Sequence, residues 1–324
     1  MIVVTGATGH IGNVLVRELL REGERVRALI GPSRNTAPLE GLDVEKVEGD
    51  VRDLNSLLKA FKGAHLVYHL AAEISTVPGR NKLLQEVNVE GTKNVMEACL
   101  KSGVKRLIYT SSVSVFSLDS GKSVHEDLFI DPHSLSGEYD KSKAFATLEV
   151  LKGTEKGLDA VIVCPTGVIG PYDFKPSEMG RFILDFLMGK IKAYVEGAYD
   201  FVDVRDVARG HVLAASRGQK GGIYILSGER LTIGALLSML EEVTGIKAPS
   251  LRVPKSLALL SAKLALPYYS VTGRRPRFTP YVIRTITSNI RVKTSKAREE
   301  LGYSPRPLKE SIRDTVKWFR YAFH

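Results

Sequence analysis

Short apolar runs alternate with amphipathic segments through the first half of this chain. Six runs are each long enough for one buried strand and too short for a helix. They lie at residues 1–5, 25–30, 44–47, 65–70, 106–112 and 159–164. Helically spaced apolar residues follow several of them, at residues 11–19, 54–61, 84–99 and 139–156. Strands that alternate with helices predict an α/β fold built on a doubly wound parallel sheet.

A glycine-rich turn joins the first predicted strand to the first helix. It reads Gly6-Ala7-Thr8-Gly9-His10-Ile11-Gly12, and this order of strand, turn and helix brings a pyrophosphate onto backbone N–H groups at a helix N-terminus. Gly6 would permit the tight turn, Gly9 the approach of a phosphate, and Gly12 the packing of helix on strand. The alternative is an ordinary strand-to-helix turn that needs its glycines for conformation alone.

The pattern changes after Pro165, where the regular alternation of strand and helix stops. The elements expected beyond it are a short amphipathic helix, a strand and helix that return to the sheet, a further strand and a further helix, at residues 182–187, 201–208, 223–226 and 231–243. Proline turns then separate the remaining helices. The second half is therefore predicted to be mostly helical.

Two structural parts follow from this pattern. We predict a dinucleotide-binding domain at residues 1–167, to which residues 201–227 return, and a smaller, mostly helical substrate lobe at residues 168–200 and 228–324. The lobe would cover the carboxyl ends of the strands, where ligands bind in open α/β sheets. Its apolar run Leu257 to Tyr269 is broken by Ser261, Lys263 and Pro267 and is too short to span a bilayer, so we predict no transmembrane segment. Within it, Leu257 to Leu266 forms an apolar face. We interpret the stretch as lobe core rather than membrane anchor, with weak interfacial contact as the alternative.

The net charge of +10 over 324 residues raises the question of an anionic partner. The hydrophobic content of 44% and charged content of 25% are those of an ordinary globular protein. The basic residues concentrate in one C-terminal cluster, made of Arg274, Arg275, Arg277, Arg284, Arg291, Lys293, Lys296 and Arg298. The cluster has no interleaved aromatic residues and no nucleic-acid fold signature. We therefore predict a solvated face, or a lid that attracts anionic ligands, and no nucleic-acid partner.

The two cysteines and the first strand bear on the compartment. Cys99 and Cys164 each lie inside an apolar element, which favours free buried thiols in a reducing cytosol over a disulfide. Met1 already belongs to the first predicted strand, so we expect no secretory signal. The expected location is the cytoplasm.

Tyr139 and Lys143 lie four residues apart, which puts a phenol and an ammonium on one helix face. An ammonium beside a phenol favours the phenolate, so we expect a lowered tyrosine pKa that is useful for proton transfer near neutral pH. Ser112 ends the fifth predicted strand, where its hydroxyl would hydrogen-bond the oxygen that gains or loses the proton. The alternatives are a solvated tyrosine with a surface lysine, and a serine that only makes a turn.

These motifs occur in the order typical of the extended short-chain dehydrogenase/reductase family, which the chain resembles over nearly its whole length. They are the GxxGxxG turn, an Asp after the third strand, Leu-Ala-Ala after the fourth, Ser112 after the fifth and YxxxK on the following helix. Asn88 to Thr92, Gly170-Pro171 and Lys296 to Tyr303 add to the likeness. It is strongest to dihydroflavonol-4-reductase-like proteins and to hopanoid-associated sugar epimerase homologues of the NAD-dependent epimerase/dehydratase type.

The resemblance implies a Rossmann-type sheet and a role for each matching residue. Ser112, Tyr139 and Lys143 would form the catalytic triad, with Tyr139 as proton donor or acceptor and Lys143 also on the nicotinamide ribose. Residues of the glycine turn and of the strand ends would contact the cofactor: Gly6, Thr8, Gly9, His10, Ile11, Gly12, Arg34, Asp50, Val51, Leu70, Ala71, Ala72, Asn88, Thr110, Tyr139, Lys143, Pro165 and Val168. No metal site is implied. The helices from Leu83 and from Tyr139 pair subunits in many relatives, which implies a homodimer.

The residues after the second strand distinguish NADP from NAD. An acidic side chain there would accept the ribose 2′-OH and select NAD. This chain instead has Ile30-Gly31-Pro32-Ser33-Arg34, without a carboxylate. Ser33 and Arg34 would hold a 2′-phosphate, so we predict NADP, with NAD as the alternative if Arg34 points to water.

Two departures from the family pattern bear on the substrate. Sugar-nucleotide epimerases of the family commonly have Asn at the position of Cys164 and Arg at the position of Tyr199, and both groups normally meet the nucleotide diphosphate. We therefore predict an NADP-dependent oxidoreductase that reduces a small or hydrophobic carbonyl compound, with Tyr139 as acid or base. The alternatives are an NAD-dependent nucleotide-sugar epimerase/dehydratase and a non-catalytic sensor of the dinucleotide. The basic cluster would still suit an anionic sugar substrate.

Overall fold

A computed structural model describes residues 1–32, 35–75, 81–116, 123–272 and 279–322, without the side chains of residues 266–272. The strands of this part are β1 (Ile2–Thr5), β2 (Val26–Ile30), β3 (Glu45–Glu48), β4 (Leu66–His69), β5 (Arg106–Thr110), β6 (Ser123–Val124), β7 (Ala160–Pro165), β8 (Gly167–Ile169), β9 (Ala193–Tyr194), β10 (Ala198–Asp203), β11 (Ile223–Leu226), β12 (Glu229–Thr232), β13 (Leu251–Arg252) and β14 (Arg291–Val292).

Seven of the strands form one parallel sheet in the order β11-β7-β5-β4-β1-β2-β3. The predicted Rossmann-type sheet is therefore confirmed. The six apolar runs of the first half all belong to it, because each is bounded by turn residues and has just the length of one buried strand. The strand order reverses at β1, with β2 and β3 on one side of it and β4 and β5 on the other, so a crevice opens between the carboxyl ends of β1 and β4.

The helices are α1 (His10–Arg21), α2 (Leu54–Ala60), α3 (Asn81–Leu84), α4 (Gly91–Lys101), α5 (Glu138–Glu155), α6 (Glu178–Leu187), α7 (Val204–Arg217), α8 (Ile233–Thr244), α9 (Lys255–Thr272), α10 (Pro280–Ile286), α11 (Ser295–Leu301) and α12 (Leu308–Ala322). A π-helical turn, Gln85–Glu90, joins α3 to α4. The apolar spacing did not indicate this turn, and such turns occur often at functional sites.

The strand expected at residues 201–204 lies in a different sheet from the one predicted. β10 pairs in parallel with β8 and antiparallel with β12, which makes a separate three-stranded sheet. The chain returns to the central sheet only through α7 and β11. The sequence could not distinguish the two cases, because an apolar strand reads alike in either sheet. The boundaries of the two structural parts remain a prediction.

Apolar side chains cover both faces of the central sheet. On one face Val3 and Val67 pack with residues of α2, α4 and α5, and on the other Ile2 and Val4 pack with residues of α1 and α7. Both cysteines are buried and free, as predicted. In the part of the chain that is described, no helix has the length and apolar character needed to cross a bilayer.

The interpretation of Leu257 to Leu266 as lobe core is wrong for three of its leucines. Leu257, Leu260 and Leu264 of α9 expose 56%, 54% and 71% of their surface. The packed face of α9 instead consists of Ala258 and Ala262, which contact Ile283 of α10. Small residues let the two helices approach closely, and the helical period then turns the larger leucines outward.

We predict that Gly6→Ala destabilises the protein more than Gly103→Ala. Both glycines have positive φ, 70° and 67°, so each alanine variant meets a backbone cost of about 1–2 kcal/mol. A Cβ on Gly6 would also lie 2.6 Å from the amide nitrogen of Ala71, whereas a Cβ on Gly103 would have open space. The free energy of unfolding in urea should fall by roughly 1–3 kcal/mol more for Gly6→Ala. Equal losses for the two variants would contradict the close crossing of these turns.

Candidate functional site

The turn after β1 leads into a helix whose N-terminus no side chain caps. Gly6 has a φ of 70°, and a Cβ on Gly12 would lie 2.1 Å from the Gly6 carbonyl oxygen, so both positions need glycine. Gly9 is exposed and precedes α1 without any side chain that caps the helix. The tight turn at Gly6 and the close packing at Gly12 agree with the conformational roles expected of them, and their contact with a cofactor stays a prediction. The bare helix N-terminus at Gly9 fits the pyrophosphate of a dinucleotide.

A buried histidine fixes the neighbouring turn after β4. His69 lies between the hydroxyls of Thr5, at 2.8 Å, and Thr92, at 3.0 Å. The Thr5 hydroxyl also accepts a hydrogen bond from the Ala71 amide at 3.2 Å. Burial lowers the pKa of His69 to about 3, so the imidazole is neutral. These bonds hold Leu70, Ala71 and Ala72 beside the glycine turn, so His69 is a buried structural residue.

Asn88 connects the turn after β4 to the helix that carries Tyr139. Its amide accepts a hydrogen bond from the Glu73 amide at 2.8 Å and donates to the Glu73 carbonyl at 3.0 Å. It also donates to the Ser142 hydroxyl at 2.9 Å, and Ser142 donates to the Tyr139 carbonyl. The Asn88 side chain, which is predicted to contact the cofactor, thus links the backbone at Glu73 to α5. Contact between Asn88 and a cofactor stays a prediction.

Other predicted cofactor residues have their side chains engaged within the protein. The His10 imidazole hydrogen-bonds the Pro171 carbonyl at 3.0 Å, so it faces the loop after β8 rather than the helix N-terminus. The Asp50 carboxylate pairs with Arg52 at 2.6 Å, and Val51 is buried in the core beneath α4. Any contact of these three residues with a cofactor would therefore use mainly their backbone.

Ser33 and Arg34, on which the prediction of NADP depends, lie outside the described residues. Arg274, Arg275 and Arg277 of the basic cluster do as well.

Thr8 and Ile11 flank the exposed Gly9 and are half-buried. No group of three or more His, Cys, Asp and Glu residues in the described part of the chain is arranged to hold a metal ion.

Lys143 reaches from α5 to the end of β5. Its ammonium donates a hydrogen bond to the Thr110 carbonyl at 2.7 Å and lies 4.4 Å from the centre of the Tyr109 ring. The side chain is 3% exposed, and this burial lowers the pKa of Lys143 to about 7. A buried amine with one carbonyl partner still has donors to offer to a ligand hydroxyl.

Tyr139 lies one helical turn before Lys143, as predicted, but its electrostatics differ from the expectation. Burial, and then the nearby Asp140, raise its pKa well above the ordinary value. The Lys143 ammonium meanwhile bonds the Thr110 carbonyl on the strand. Tyr199 and Tyr281 lie near Tyr139, and burial raises their pKa values too. The expected lowering of the Tyr139 pKa is therefore wrong.

A chain of polar groups runs from Ser112 into the C-terminal half of the protein. The Ser112 hydroxyl lies 2.9 Å from the Ser114 hydroxyl and accepts a hydrogen bond from the Ser114 amide at 3.2 Å. Asp140 is 6% exposed and accepts a hydrogen bond from Tyr281 of α10 at 2.7 Å. Burial raises the pKa of Asp140, and hydrogen bonds from Tyr281 and Ser114 partly counter it.

His211 of α7 supports the strand end from the other side. Its Nδ1 donates a hydrogen bond to the Val207 carbonyl at 2.7 Å, so its Nε2 accepts one from the Thr110 hydroxyl, also at 2.7 Å. Burial lowers the pKa of His211 to about 4, in keeping with a neutral ring. Thr110 is thus a support for Lys143, and its predicted contact with a cofactor stays a prediction.

The segment after β7 closes the far side of the crevice. Pro165 is buried at the end of β7, and Val168 is half-buried in β8, parallel to Val202 of β10. Cys164 is fully buried, and its thiol hydrogen-bonds Ser111. Tyr199 places an aromatic ring near Tyr139. This side of the site therefore has a thiol at residue 164 and a phenol at residue 199.

Four residues that shape the site were missed in the sequence. Asp140 stands inside the Tyr139–Lys143 motif, and Ser114 follows Ser112 by two residues, so their positions alone could have drawn attention to them. Tyr281 and His211 had no local signal. Tyr281 is 141 residues from Asp140 along the chain, and only the tertiary structure brings them together.

Comparisons with known proteins agree with this architecture. The model of the NAD dependent epimerase/dehydratase family matches residues 2–227. Sterol demethylase protein B of Methylococcus capsulatus is 40% identical over 322 residues, which cover 98% of this chain and 98% of that protein. A putative dihydroflavonol 4-reductase of Synechocystis is 35% identical over 322 residues, which cover 98% of this chain and 94% of that protein. The crystal structure of gox2253 has a TM-score of 0.87 and 37% identity, over 99% of this chain and 98% of that one.

The buried amine of Lys143 should make stability depend on pH. Between its folded pKa of about 7 and its ordinary value of 10.5, the unfolded chain binds a proton that the folded chain lacks, so stability rises with pH across this window. We expect the free energy of unfolding of the wild type to rise by about 2 kcal/mol relative to that of Lys143→Met between about pH 7 and pH 9. Lys141→Met, on the exposed side of α5, is the control. Parallel curves for the wild type and Lys143→Met would contradict the burial of an amine.

Proposed function

The chain belongs to the NAD dependent epimerase/dehydratase family, within the extended short-chain dehydrogenases/reductases, and on that premise we propose that it is an NADP-linked reductase of an apolar carbonyl compound. One observation carries the proposal. α5 brings the Lys143 ammonium to the Thr110 carbonyl at the carboxyl end of β5, two residues before Ser112. Tyr139 lies on the same helix, one turn before Lys143. The open glycine turn of β1 lies along the same edge.

Each residue of this group has a role that follows from its surroundings. The bound dinucleotide supplies or accepts the hydride. Tyr139 keeps its proton near neutral pH because its pKa is raised, which suits a proton donor to a carbonyl oxygen during reduction. Lys143 would stabilise the phenolate that remains and hydrogen-bond the ribose of the cofactor. Ser112 would hydrogen-bond the substrate oxygen.

The character of the site favours an apolar substrate. Tyr139, Tyr199 and Tyr281 offer three phenol rings, and neither Cys164 nor Tyr199 carries the charge or amide that would hold a nucleotide diphosphate. The names of the relatives point the same way, since one is a sterol demethylase protein and another a putative dihydroflavonol 4-reductase. We infer a flat, largely apolar ketone or secondary alcohol as the substrate class.

For the cofactor we propose NADP, because the sequence after β2, Gly31-Pro32-Ser33-Arg34, has no carboxylate and offers a hydroxyl and a guanidinium for a 2′-phosphate. Free buried Cys99 and Cys164 support a reducing, cytoplasmic setting. A homodimer through α3, α4 and α5 remains part of the proposal.

The second candidate is an NAD-dependent nucleotide-sugar epimerase or dehydratase, which the family as a whole and the basic C-terminal cluster favour. Such an enzyme would retain its cofactor through purification and would turn over without net consumption of NADPH. A non-catalytic sensor of the dinucleotide is the third candidate. The chain retains Ser112, Tyr139 and Lys143 together, and a sensor has no need of all three.

Asp140 would set the direction of the hydrogen bond that Ser112 makes. When Asp140 is ionised it accepts from Ser114, Ser114 in turn accepts the Ser112 proton, and Ser112 can then only accept a hydrogen bond from a substrate alcohol. When Asp140 is protonated the chain can reverse, and Ser112 can donate to a carbonyl. The titratable groups that face Asp140 are Tyr281 from α10, Tyr199 from β10 and Tyr139 from its own helix.

Replacement of Tyr139 by Phe should abolish turnover without loss of cofactor binding. Loss of the phenolic proton should lower kcat by about 10²–10⁴-fold, while the NADPH dissociation constant stays within about twofold, because the ring remains. Tyr303→Phe removes a buried hydroxyl that has no partner in the described structure, and it serves as the control. Unchanged biological activity of Tyr139→Phe would favour the sensor.

The affinities for NADP and NAD, measured by calorimetry, should differ by at least about tenfold in favour of NADP, if Arg34 binds the 2′-phosphate. The preferred reduced cofactor is then tested with aldehydes, aryl and steroidal ketones, and UDP-sugars. Reduction of an apolar ketone with consumption of NADPH supports the proposal. Inversion of a UDP-sugar without net consumption of cofactor would establish the epimerase instead.

Asp140→Asn should remove the opposite pH dependences of kcat/KM for reduction and for oxidation. The amide can donate to Ser114 and still accept from Tyr281, so it imitates the protonated acid. We expect reduction to lose its alkaline decline, and alcohol oxidation to fall by roughly tenfold at alkaline pH. Glu138→Gln, which removes an exposed carboxylate of the same helix, is the control. Unchanged pH profiles of kcat/KM in both directions would refute this role of Asp140.

A further inference from the structure

The positive charge of the chain comes from one C-terminal segment. Residues 243–298 contain twelve lysines and arginines and no aspartate or glutamate. The net charge of the whole chain is only +10, so the remaining residues carry a slight negative balance. A long segment without acidic residues cannot neutralise its own charge through local ion pairs, so it favours an anionic partner.

This basic segment includes an exposed apolar helix face, which we call the leucine face. It consists of Leu257, Leu260 and Leu264 of α9, spaced three and four residues apart on one side of the helix and each more than half exposed. Lys255 and Lys263 of the same helix are exposed as well. Scattered surface leucines need no explanation, but an aligned row in a basic helix does.

The row is held outward by the packing of the opposite side of α9. Ala258 and Ala262 are 7% and 5% exposed and contact Ile283 of α10. Because this inner side is already packed, the leucines cannot turn inward without separation of the two helices. The leucine face is thus a fixed feature of the folded protein.

Three kinds of partner are compared with the leucine face and its charge: a second copy of this chain, a nucleic acid and a lipid bilayer. A second copy of this chain would bring another basic segment against the first, which like charges oppose. A nucleic acid would suit the charge, but leucines offer it no stacking surface. A bilayer with anionic lipids suits both, because leucines enter the interface while lysines and arginines contact the headgroups.

We propose that the leucine face and its flanking basic residues dock the protein on the surface of an anionic membrane. α9 would lie in the interfacial plane, with Leu257, Leu260 and Leu264 among the upper acyl chains. α10, which packs on α9, carries the Tyr281 that reaches Asp140. If the substrate is the apolar compound proposed above, docking would bring the substrate lobe to the phase in which that compound dissolves; the docking itself does not depend on that function.

The test measures binding of the full-length protein to vesicles without substrate. The chain should sediment with vesicles that contain about one third phosphatidylglycerol and much less with pure phosphatidylcholine. High salt should weaken the binding. The double variant Leu260→Ser and Leu264→Ser should bind at least about tenfold more weakly, because two apolar side chains no longer enter the interface. Lys255→Glu with Lys263→Glu should also bind more weakly.

Matched controls change exposed residues outside the basic segment. Leu100→Ser alters a leucine of α4 that is 47% exposed, and Lys101→Glu removes a charge beside it. Both should bind vesicles as the wild type does. Circular dichroism and the midpoint of thermal unfolding check that every variant is folded, so failure of docking stays separate from failure of the proposed function.

Three results would overturn the proposal. One is the absence of binding to anionic vesicles at low salt. A second is binding that the leucine variant retains in full, since charge alone would then account for it. The third is a concentration-dependent dimer that the leucine variant abolishes, together with no vesicle binding, which would assign the face to a second copy of the chain.

Discussion

Polar groups buried at the carboxyl edge of the sheet must find their partners inside the protein, and this constraint organises the site. An unpaired buried donor or acceptor costs on the order of 1–3 kcal/mol. His69 is satisfied by two threonines, Asn88 by Glu73 and Ser142, and Lys143 by the Thr110 carbonyl. Each of these bonds joins two elements, so satisfaction of the polar groups also fixes the turns and α5 relative to one another.

The same constraint separates supporting residues from those free to act. Some side chains form their hydrogen bonds with other groups of the protein, as Asn88, His211 and Thr110 do. The helix N-terminus at Gly9, by contrast, has no capping side chain, and the Lys143 ammonium has donors left after Thr110. A pyrophosphate and a ribose hydroxyl can therefore bind at one sheet edge without displacing the bonds that hold that edge together.

Asp140 of α5 meets the C-terminal half of the chain through Tyr281. Asp140 belongs to the same helix as Tyr139, yet it bonds Tyr281 of α10, which packs on the helix that carries the leucine face. A buried carboxylate without a cationic partner in the described residues depends on its hydroxyl donors. The position of α10 thus bears on Asp140 and, through Ser114, on Ser112.

The sequence by itself determined the central sheet, the glycine turn, the family and the pairing of Tyr139 with Lys143 on one helix. All of these depend on spacing within a few residues, and local periodicity records such spacing directly. Most of the cofactor residues are named by the same motifs, although their contacts with a cofactor remain predictions. The motif around Tyr139 also contained Asp140, whose importance needed a partner from elsewhere in the chain.

Only the tertiary structure decided which partner each side chain meets. The pKa of Tyr139 is raised rather than lowered because burial and the neighbouring Asp140 disfavour the phenolate. β10 joins a second sheet, and Asn88 links the turn after β4 to α5. The leucines of α9 face outward because Ala258 and Ala262 occupy the packed side. Burial and hydrogen-bond partners are set by residues far apart in the chain, and no local pattern carries that information.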